Sequence, residues 1–152
     1  MTADYEAFLS LVPPGGRILD AGCGPGRDAA AFSKRGYRVT AIDASLAMVS
    51  LASTRLGFPA LRIPFTAIAY EQEFDGLWAC ASLLHVPKRE MPGVIERLRR
   101  ALKPGGVLYA SFKYGTAEEF REGRWFNDYD EHTLAALFAP GRWKLLRTWD
   151  SG

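Results

Sequence analysis

The residue types best suited to chemistry in this chain lie together near its start. An apolar run ends at Asp20, and a helix is predicted to follow from Arg27 to Arg35. Three glycines at alternate positions stand between them: Gly22, Gly24 and Gly26. Because glycine has no Cβ, such a segment can turn sharply and let the main chain approach a ligand closely. The pattern predicts a small-ligand cradle at the carboxyl end of a strand, where open α/β sheets bind cofactors.

The spacing of the glycines indicates which ligands this cradle suits. A dinucleotide-binding loop has the spacing Gly-x-Gly-x-x-Gly, with the N-terminus of a helix directed at the pyrophosphate. Here Arg27 stands where the last glycine is needed, and Asp28 in the first helical turn would repel a phosphate. No Gly-Lys-Ser/Thr follows, which excludes a P-loop. The carboxylate of Asp20 favours instead a ligand that carries ammonium or hydroxyl donors.

A second carboxylate ends the next predicted strand, Tyr37–Asp43. Asp43 lies 23 residues after Asp20, which is about the separation of a ribose-binding acid from the first strand of such folds. A carboxylate there can accept hydrogen bonds from both ribose hydroxyls. The alternative is a local role, in which Asp43 or Ser45 caps the predicted helix that follows.

Predicted strands and helices alternate along the chain, which is typical of a parallel α/β sheet. The predicted strands are Arg17–Asp20, Tyr37–Asp43, Ala60–Ile63, Phe74–Ala81, Val107–Phe112 and Trp143–Trp149. The predicted helices are Tyr5–Val12, Arg27–Arg35, Ser45–Leu56, Glu90–Leu102 and Glu131–Phe138. The strand from Phe74 is almost continuously apolar, as expected of a central strand that is buried on both faces. An irregular polar segment is expected between residues 112 and 131.

Composition limits the class of protein. The 152 residues are 48% hydrophobic and 24% charged, which indicates one globular domain rather than a disordered chain. A net charge of +2 is too small to predict binding to nucleic acid or membrane. The two cysteines, Cys23 and Cys80, have no metal-ligand spacing and favour a reducing compartment over a disulfide framework. With no signal-peptide or transmembrane pattern, a cytoplasmic location is predicted.

The segment from Ile18 to Asp28 resembles motif I of the class I S-adenosylmethionine-dependent methyltransferases. Two further stretches support the resemblance, Leu83-Leu84-His85-Val86 after the fourth strand and Lys103-Pro104-Gly105-Gly106 before the fifth. The similar region covers about residues 17–113. Within that superfamily, three segments look most like bacterial small-molecule methyltransferases of the tellurite-resistance-related group: Gly26-Arg27-Asp28, Trp78–Pro87 and Gly123-Arg124-Trp125-Phe126.

The resemblance implies a Rossmann-like, doubly wound and mostly parallel sheet in the order 3-2-1-4-5, followed by strand six. It also implies that residues 1–152 form a single S-adenosylmethionine-binding domain. The family sheet usually has a seventh strand, but only three residues follow the predicted strand Trp143–Trp149. We therefore expect a domain that is short at its C-terminus and lacks strand seven. An uncovered edge at strand five would invite pairing with another chain, so self-association through that edge is predicted.

The resemblance also implies which residues hold the cofactor, S-adenosylmethionine. They are Asp20, Gly22, Cys23, Gly24, Arg27, Asp43, Ala44, Met48, Phe65, Thr66 and Ala81. In this assignment the glycine loop and Asp20 hold the amino-acid end, Asp43 holds the ribose, and Ala44 and Met48 line the adenine. Phe65 and Thr66 border the ring from the other side. Many family members have an acid near position 66, where this chain has Thr66.

The chemistry implied is an in-line displacement at a methyl group that the sulfonium already activates. Much of the rate can then come from holding the acceptor in line and close, and a general base is needed only for a protonated acceptor. His85 is the candidate base, with capping or packing of its loop as the alternative. Tyr114 and Trp125 are candidate acceptor-binding residues by stacking or cation–π contact, with a place in the core as the alternative.

Three function classes follow from these observations. The favoured one is a methyltransferase acting on a small soluble acceptor, with no nucleic-acid or membrane partner and no metal. The alternative is an S-adenosylmethionine-binding module or remnant with little catalysis. A nicotinamide-dependent oxidoreductase is disfavoured by the glycine spacing and Arg27. A nucleic-acid methyltransferase, as a variant of the first class, is disfavoured because Ala81-Ser82-Leu83-Leu84 stands where Asn-Pro-Pro-Tyr or Asp-Pro-Pro-Tyr would be expected.

Overall fold

Strands and helices alternate in the computed structural model, which describes residues 2–114, 118–121, 124–129, 136–138, 142–144 and 146. The strands are β1 (Arg17–Ala21), β2 (Arg38–Asp43), β3 (Leu61–Arg62), β4 (Phe74–Ala79), β5 (Leu102–Ala110), β6 (Lys113–Tyr114), β7 (Glu118–Arg121) and β8 (Arg124–Tyr129). The helices are α1 (Thr2–Leu9), α2 (Arg27–Lys34), α3 (Leu46–Leu56) and α4 (Met91–Ala101), with 3-10 turns at Phe65–Ala67 and Leu83–His85. None of these described helices has the length and apolar character that a membrane span requires.

The first five strands form one parallel sheet in the order β3-β2-β1-β4-β5. This confirms the Rossmann-like order predicted from the sequence. The strand order reverses between β1 and β4, because β2 and β3 lie on one side of β1 and β4 and β5 lie on the other. At this point Asp20 pairs in register with Trp78 on one side and Ala41 on the other. Because all five strands run the same way, their carboxyl ends meet at one edge, and the reversal point is where such sheets bind ligands.

Helices cover both faces of the sheet, since the consecutive residues Ile18 to Ala21 of β1 are all buried although successive side chains point to opposite faces. Ile18 packs in an aromatic cluster beneath α1 and α2 that includes Phe32 and the fully buried Trp78. Leu19 points to the opposite face, where α4 packs its apolar stripe of Met91, Val94, Ile95 and Leu98. That stripe agrees with the helical periodicity of the sequence. The sheet is therefore buried on both faces, which leaves its edges and strand ends for binding.

The fifth strand starts earlier than the sequence predicts. Leu102 already pairs with Phe74, and after an irregularity the ladder resumes with Val107 opposite Gly76. The Lys-Pro-Gly-Gly segment predicted as a turn lies within that irregularity, where Gly105 has φ +80. The turn prediction was sound locally, but pairing with β4 extends the strand across it.

The expectation of an irregular segment after β5 was wrong. β6, β7 and β8 form a second sheet, in which β8 pairs parallel to β6 and antiparallel to β7. The sequence signal for this pairing is weak, because the stretch has many charges and lacks the Asn-Gly or Asp-Gly dipeptide that is typical of a hairpin. The helix predicted over Glu131–Phe138, the strand over Trp143–Trp149 and the missing seventh strand concern residues that lie mostly outside those described.

Candidate functional site

Four chain segments converge at the carboxyl edge of the five-stranded sheet. They are the glycine loop after β1, Asp43 at the end of β2, the Ala81-Ser82 segment after β4, and Ser111 after β5. Most of the residues predicted to bind the cofactor lie in or beside these segments, so the sheet brings together residues that are far apart in sequence.

The three glycines of the loop all have positive φ, at +75, +54 and +89, but they differ in what surrounds them. A Cβ on Gly22 would lie 2.4 Å from the Cβ of Ser82, so the β4 exit packs directly on this residue. A Cβ on Gly26 would lie 3.1 Å from Ala52 in α3. At Gly24, by contrast, a Cβ would meet no described atom within 4 Å. The loop therefore packs tightly at both ends and faces open space at Gly24.

Backbone N–H groups of the loop are already engaged inside the protein. Gly22 and Cys23 both donate to the carbonyl of Ile42, at 2.9 and 2.8 Å. Gly24 donates to Oδ2 of Asp43 at 2.9 Å, and Gly26 donates to the carbonyl of Cys23 at 3.1 Å. A phosphate-binding loop instead directs its N–H groups at the ligand. This geometry agrees with the sequence argument against a dinucleotide.

Asp43 joins the end of β2 to the glycine loop. Its Oδ1 accepts the N–H of Ser45 at 2.8 Å, while its Oδ2 accepts that of Gly24. The cap of α3 is Ser45, whose Oγ accepts the N–H of Met48 at 3.3 Å. The capping role therefore belongs to Ser45. Each oxygen of a carboxylate has a second lone pair, so Asp43 can still accept hydrogen bonds from ligand hydroxyls.

Asp20 is a buried acid with one oxygen that the protein leaves without a donor. The residue is only 2% exposed, and its Oδ2 receives no hydrogen bond from the described residues. Burial, together with the charges of Asp28 and Asp43, raises the pKa of this carboxyl well above its usual range, although the N–H of Ala29 opposes the effect. An ionised carboxylate is costly to bury without partners. A cationic donor on a ligand would supply the hydrogen-bond partner that Oδ2 of Asp20 lacks.

Asp28 connects three elements beneath the site. Its carboxylate accepts the hydroxyl of Tyr5 in α1, the indole N–H of Trp78 at 2.9 Å, and Nε of Arg27 at 3.3 Å. The side chain of Arg27 stays 64% exposed at the start of α2. Local sequence pattern does not reveal these partners of Asp28, because Tyr5 and Trp78 are 23 and 50 residues away.

Two serines that sequence reasoning missed fix the exit of β4. Ser82 is buried, and its Oγ donates to the carbonyl of Ala21 at 2.9 Å. Ser111 accepts the N–H of Ala81 at 2.7 Å. No local pattern marks either residue, because their partners lie 61 and 30 residues away.

The residues predicted to surround the adenine lie around the ends of β2 and β3. Ala44 is exposed, and its carbonyl accepts Nε of Arg62 at 3.1 Å. Met48 is half-buried in the first turn of α3. The ring of the half-buried Phe65 reaches to 3.2 Å from where a Cβ of Gly22 would lie, and Thr66 is exposed beside it.

Neither cysteine has the properties of a nucleophile. Burial, together with the carboxylates of Asp20 and Asp43, raises the pKa of the Cys23 thiol to about 12. Burial also raises the pKa of the Cys80 thiol. Because the thiolate is the reactive form, these raised pKa values disfavour a nucleophilic role for either side chain. Within the described part of the chain, no group of His, Cys, Asp and Glu side chains could hold a metal ion.

The candidate catalytic and acceptor-binding residues are only partly described. His85 is half-buried in the 3-10 turn after Ser82, with its N–H donated to the carbonyl of Ser82 at 3.2 Å. The backbone of Tyr114 lies in β6 and that of Trp125 in β8, but both side chains lie outside the described residues. Because β8 packs against the 3-10 turn Leu83–His85, the strand of Trp125 lies beside the β4 exit.

Comparison with known proteins gives a family match that includes the glycine loop, Asp43 and the Ala81-Ser82 segment. The family model described as a methyltransferase domain matches residues 18–106. Malonyl-[acyl-carrier protein] O-methyltransferase of Salmonella typhimurium is 31% identical over 151 residues, covering 95% of this chain and 59% of that protein. Ubiquinone biosynthesis O-methyltransferase of Xanthomonas campestris pv. campestris is 32% identical over 115 residues, covering 71% of this chain and 47% of that protein. The chain thus spans about half the length of these curated relatives.

Solved structures show the same fold. The 1,6-didemethyltoxoflavin-N1-methyltransferase of Burkholderia thailandensis, crystallised with 1,6-didemethyltoxoflavin and S-adenosylhomocysteine, superposes with a TM-score of 0.74 at 26% identity. The alignment covers 90% of this chain and 63% of that one. A TehB-like protein from Corynebacterium glutamicum, at 22% identity and a TM-score of 0.61, shares the fold.

Proposed function

The chain belongs to the methyltransferase-domain family, and we propose on that basis that it transfers a methyl group from S-adenosylmethionine to a small soluble acceptor. The observation that carries the proposal is the glycine loop. Its N–H groups are occupied within the protein, its open side is at Gly24, and carboxylates lie beneath and beside it. This arrangement suits a ligand with cationic and hydroxyl donors and does not suit a pyrophosphate.

The residues present fit each part of S-adenosylmethionine. The unpartnered oxygen of Asp20 suits the ammonium, and the exposed guanidinium of Arg27 at a helix N-terminus suits the carboxylate. Asp43 accepts the ribose hydroxyls. The residues at the ends of β2 and β3 border the adenine: Ala44, Met48, Phe65 and Thr66. Backbone at Gly22, Cys23, Gly24 and Ala81 lines the methionine portion.

When bound, S-adenosylmethionine supplies a methyl group that its sulfonium has already activated. The chain's task is then to orient the acceptor and exclude water. We assign the acceptor side to the exits of β4 and β5, where β8 packs nearby. His85 would take the proton of a protonated acceptor, and Tyr114 and Trp125 would stack on an acceptor ring.

Several finer statements are part of the same proposal. We place the chain with the bacterial tellurite-resistance-related members, as one cytoplasmic domain over residues 1–152 that acts without nucleic-acid or membrane partners. Two free cysteines support a reducing compartment. β5 is the edge strand on one side of the five-stranded sheet, which supports self-association through that strand. Sedimentation equilibrium measures this association.

The proposal is tested by isothermal titration of the purified chain with S-adenosylhomocysteine, S-adenosylmethionine and NAD. We expect micromolar binding of the first two and no heat with NAD. Binding of NAD, or no binding of either adenosyl ligand, would contradict the cofactor assignment. A panel of small hydroxyl, amine and thiol acceptors then tests turnover, with S-adenosylhomocysteine as the measured product. Binding without turnover across the panel favours the alternative of a binding module with little catalysis.

A further inference from the structure

The exit of β4 holds a non-glycine residue in a left-handed conformation beside the proposed cofactor site. Ala81 has φ +50, and the other such residue among those described is Gln72, with φ +49, at the amino end of β4. Residues with a Cβ rarely adopt this conformation because of steric conflict, so the surrounding structure must hold Ala81 in place. Ala81 is also exposed, so burial of its own side chain does not hold it.

Ser111 contacts the backbone of Ala81. Its Oγ accepts the N–H of Ala81 at 2.7 Å and donates to Sγ of Cys80 at 3.6 Å. The N–H of Ser111 donates to the carbonyl of Ala79 at 3.2 Å. The backbone of Ser111 is therefore fixed to the end of β4, and its hydroxyl contacts both Cys80 and Ala81.

A second attachment joins the same segment to β1. Ser82 donates to the carbonyl of Ala21, and its Cβ packs so closely on Gly22 that a Cβ there would be 2.4 Å away. The backbone at Ala81 lies between this attachment and Ser111. Its shape is thus set jointly by the exits of β1 and β5.

We propose that Ser111 is a positioning residue for cofactor binding, which holds Ala81 in the left-handed conformation and so shapes the backbone beside Gly22. The inference rests on the proposed function, because it assumes that this backbone lines the site of S-adenosylmethionine. Without the hydroxyl, the N–H of Ala81 loses its acceptor, and Ala81 can relax to an ordinary conformation. The wall of the site then changes shape without any change in a residue that contacts the ligand through its side chain.

A double-mutant cycle on the full chain tests this inference, with the dissociation constant of S-adenosylhomocysteine as the readout. S111A is expected to weaken binding about tenfold, whereas S111T keeps the hydroxyl and is expected to bind within about twofold of the wild type. Glycine adopts φ +50 without strain, so A81G serves as the second background of the cycle, and its own dissociation constant is the reference there. In the A81G background, S111A is expected to have an effect of about twofold or less, since coupled residues are not additive.

Gln72→Gly is the matched control, because it removes the same backbone strain at the opposite edge of the sheet and is expected to leave the dissociation constant unchanged. If the wild type does not bind S-adenosylhomocysteine, the proposed function fails and this inference fails with it. If the wild type binds but S111A binds equally well, or loses the same factor in both backgrounds, only the inference is overturned. Should S111A alone not fold, the inference requires the S111A/A81G variant to fold and bind.

Discussion

The carboxyl edge of the five-stranded sheet, where its parallel strands end, and the amino edge, where they begin, are built in opposite ways. At the amino edge, both oxygens of Asp75 have partners: Oδ2 accepts the N–H of Arg17 at 2.9 Å, and Lys103 lies 3.4 Å from Oδ1. These partners lower the pKa of Asp75, chiefly through the N–H of Arg17. At the carboxyl edge, Asp20 has a raised pKa and an oxygen without a partner among the described residues.

One glycine from each edge shows a similar contrast. Gly16, at the amino edge, is packed so that a Cβ would lie 2.8 Å from the carbonyl of Pro13 and 3.0 Å from Asp75. Gly24, at the carboxyl edge, faces open space. At Asp75 and Gly16 the amino edge is paired and tightly packed, whereas at Asp20 and Gly24 the carboxyl edge keeps an unsatisfied acid and an open cradle. Such departures from local optimality are expected where a ligand binds, and the rest of the fold must compensate for them.

The largest effect is expected from Gly24→Val. A branched side chain would fill the space where the ligand approaches, so binding of S-adenosylhomocysteine should weaken by roughly 100-fold or more, about 2.8 kcal/mol. Valine at φ +54 is strained, and stability should also fall by about 1–2 kcal/mol.

Gly36→Val controls for that strain. Gly36 also has positive φ, at +92, and open space around its Cβ position, but it precedes β2 at the amino edge. This variant should lose similar stability and keep the affinity of the wild type. Equal affinity of Gly24→Val and Gly36→Val for S-adenosylhomocysteine would show that the glycine loop is not part of the binding site.

Asp43→Ala should have the next largest effect. Loss of an ionised acceptor for the ribose hydroxyls should weaken binding by about 1.5–3 kcal/mol, measured by titration with S-adenosylhomocysteine. Ser45→Ala is the matched control, because it removes the helix cap and should lower stability by about 1 kcal/mol without changing affinity. An Asp43→Ala variant that loses stability but binds normally would restrict Asp43 to joining the loop to β2.

How far the sequence predicts this site depends on the separation of the interacting residues. The glycines and Asp20 are adjacent, and Asp43 follows at a spacing set by one strand-helix-strand unit, so local pattern and periodicity suffice for them. Ser82 and Ser111 act on partners 61 and 30 residues away. Asp28 likewise meets Trp78 only because β1 and β4 are neighbours in the sheet. Such contacts depend on register, which hydrophobic pattern alone does not specify to single-residue accuracy.

The parallel sheet was predictable from local periodicity, whereas elements in which local patterns conflict were not. Long apolar strands such as β4 and the amphipathic α4 give clear periodic signals. In β7 and β8, charged and aromatic residues are mixed, and pairing between strands stabilises the hairpin more than local propensity does. The extension of β5 back to Leu102 likewise reflects pairing with Phe74, since the intervening Pro104 and the two glycines disfavour a strand.

Asp20→Asn should change the pH dependence of stability. The folded-state pKa of Asp20 is raised above its unfolded value of about 3.9. The folded protein therefore holds a proton that the unfolded chain releases, and stability falls as the pH rises from about 4 to the folded-state pKa, by up to about 1.4 kcal/mol per unit. The neutral amide removes this slope, so the variant should be more stable than the wild type at neutral pH and equal to it below about pH 4.

Urea unfolding between pH 3 and pH 8 measures this difference. Binding of S-adenosylhomocysteine should weaken in the same variant, because the partner of the ligand ammonium is lost. A variant with the wild-type slope would show that Asp20 does not carry the proton.

Asp75→Ala should have the smallest effect and the opposite pH dependence. The folded-state pKa of Asp75 is lowered, so its stabilisation is present above the unfolded pKa of about 3.9 and is lost as the pH falls through the folded-state value. Because the side chain is partly solvated, we expect a loss of about 1 kcal/mol at pH 7, shrinking at acidic pH, with ligand affinity unchanged. Urea unfolding and titration on one preparation measure both quantities. An Asp75→Ala variant that bound S-adenosylhomocysteine more weakly would show that the two edges are energetically coupled, and the contrast between a structural and a functional edge would not hold.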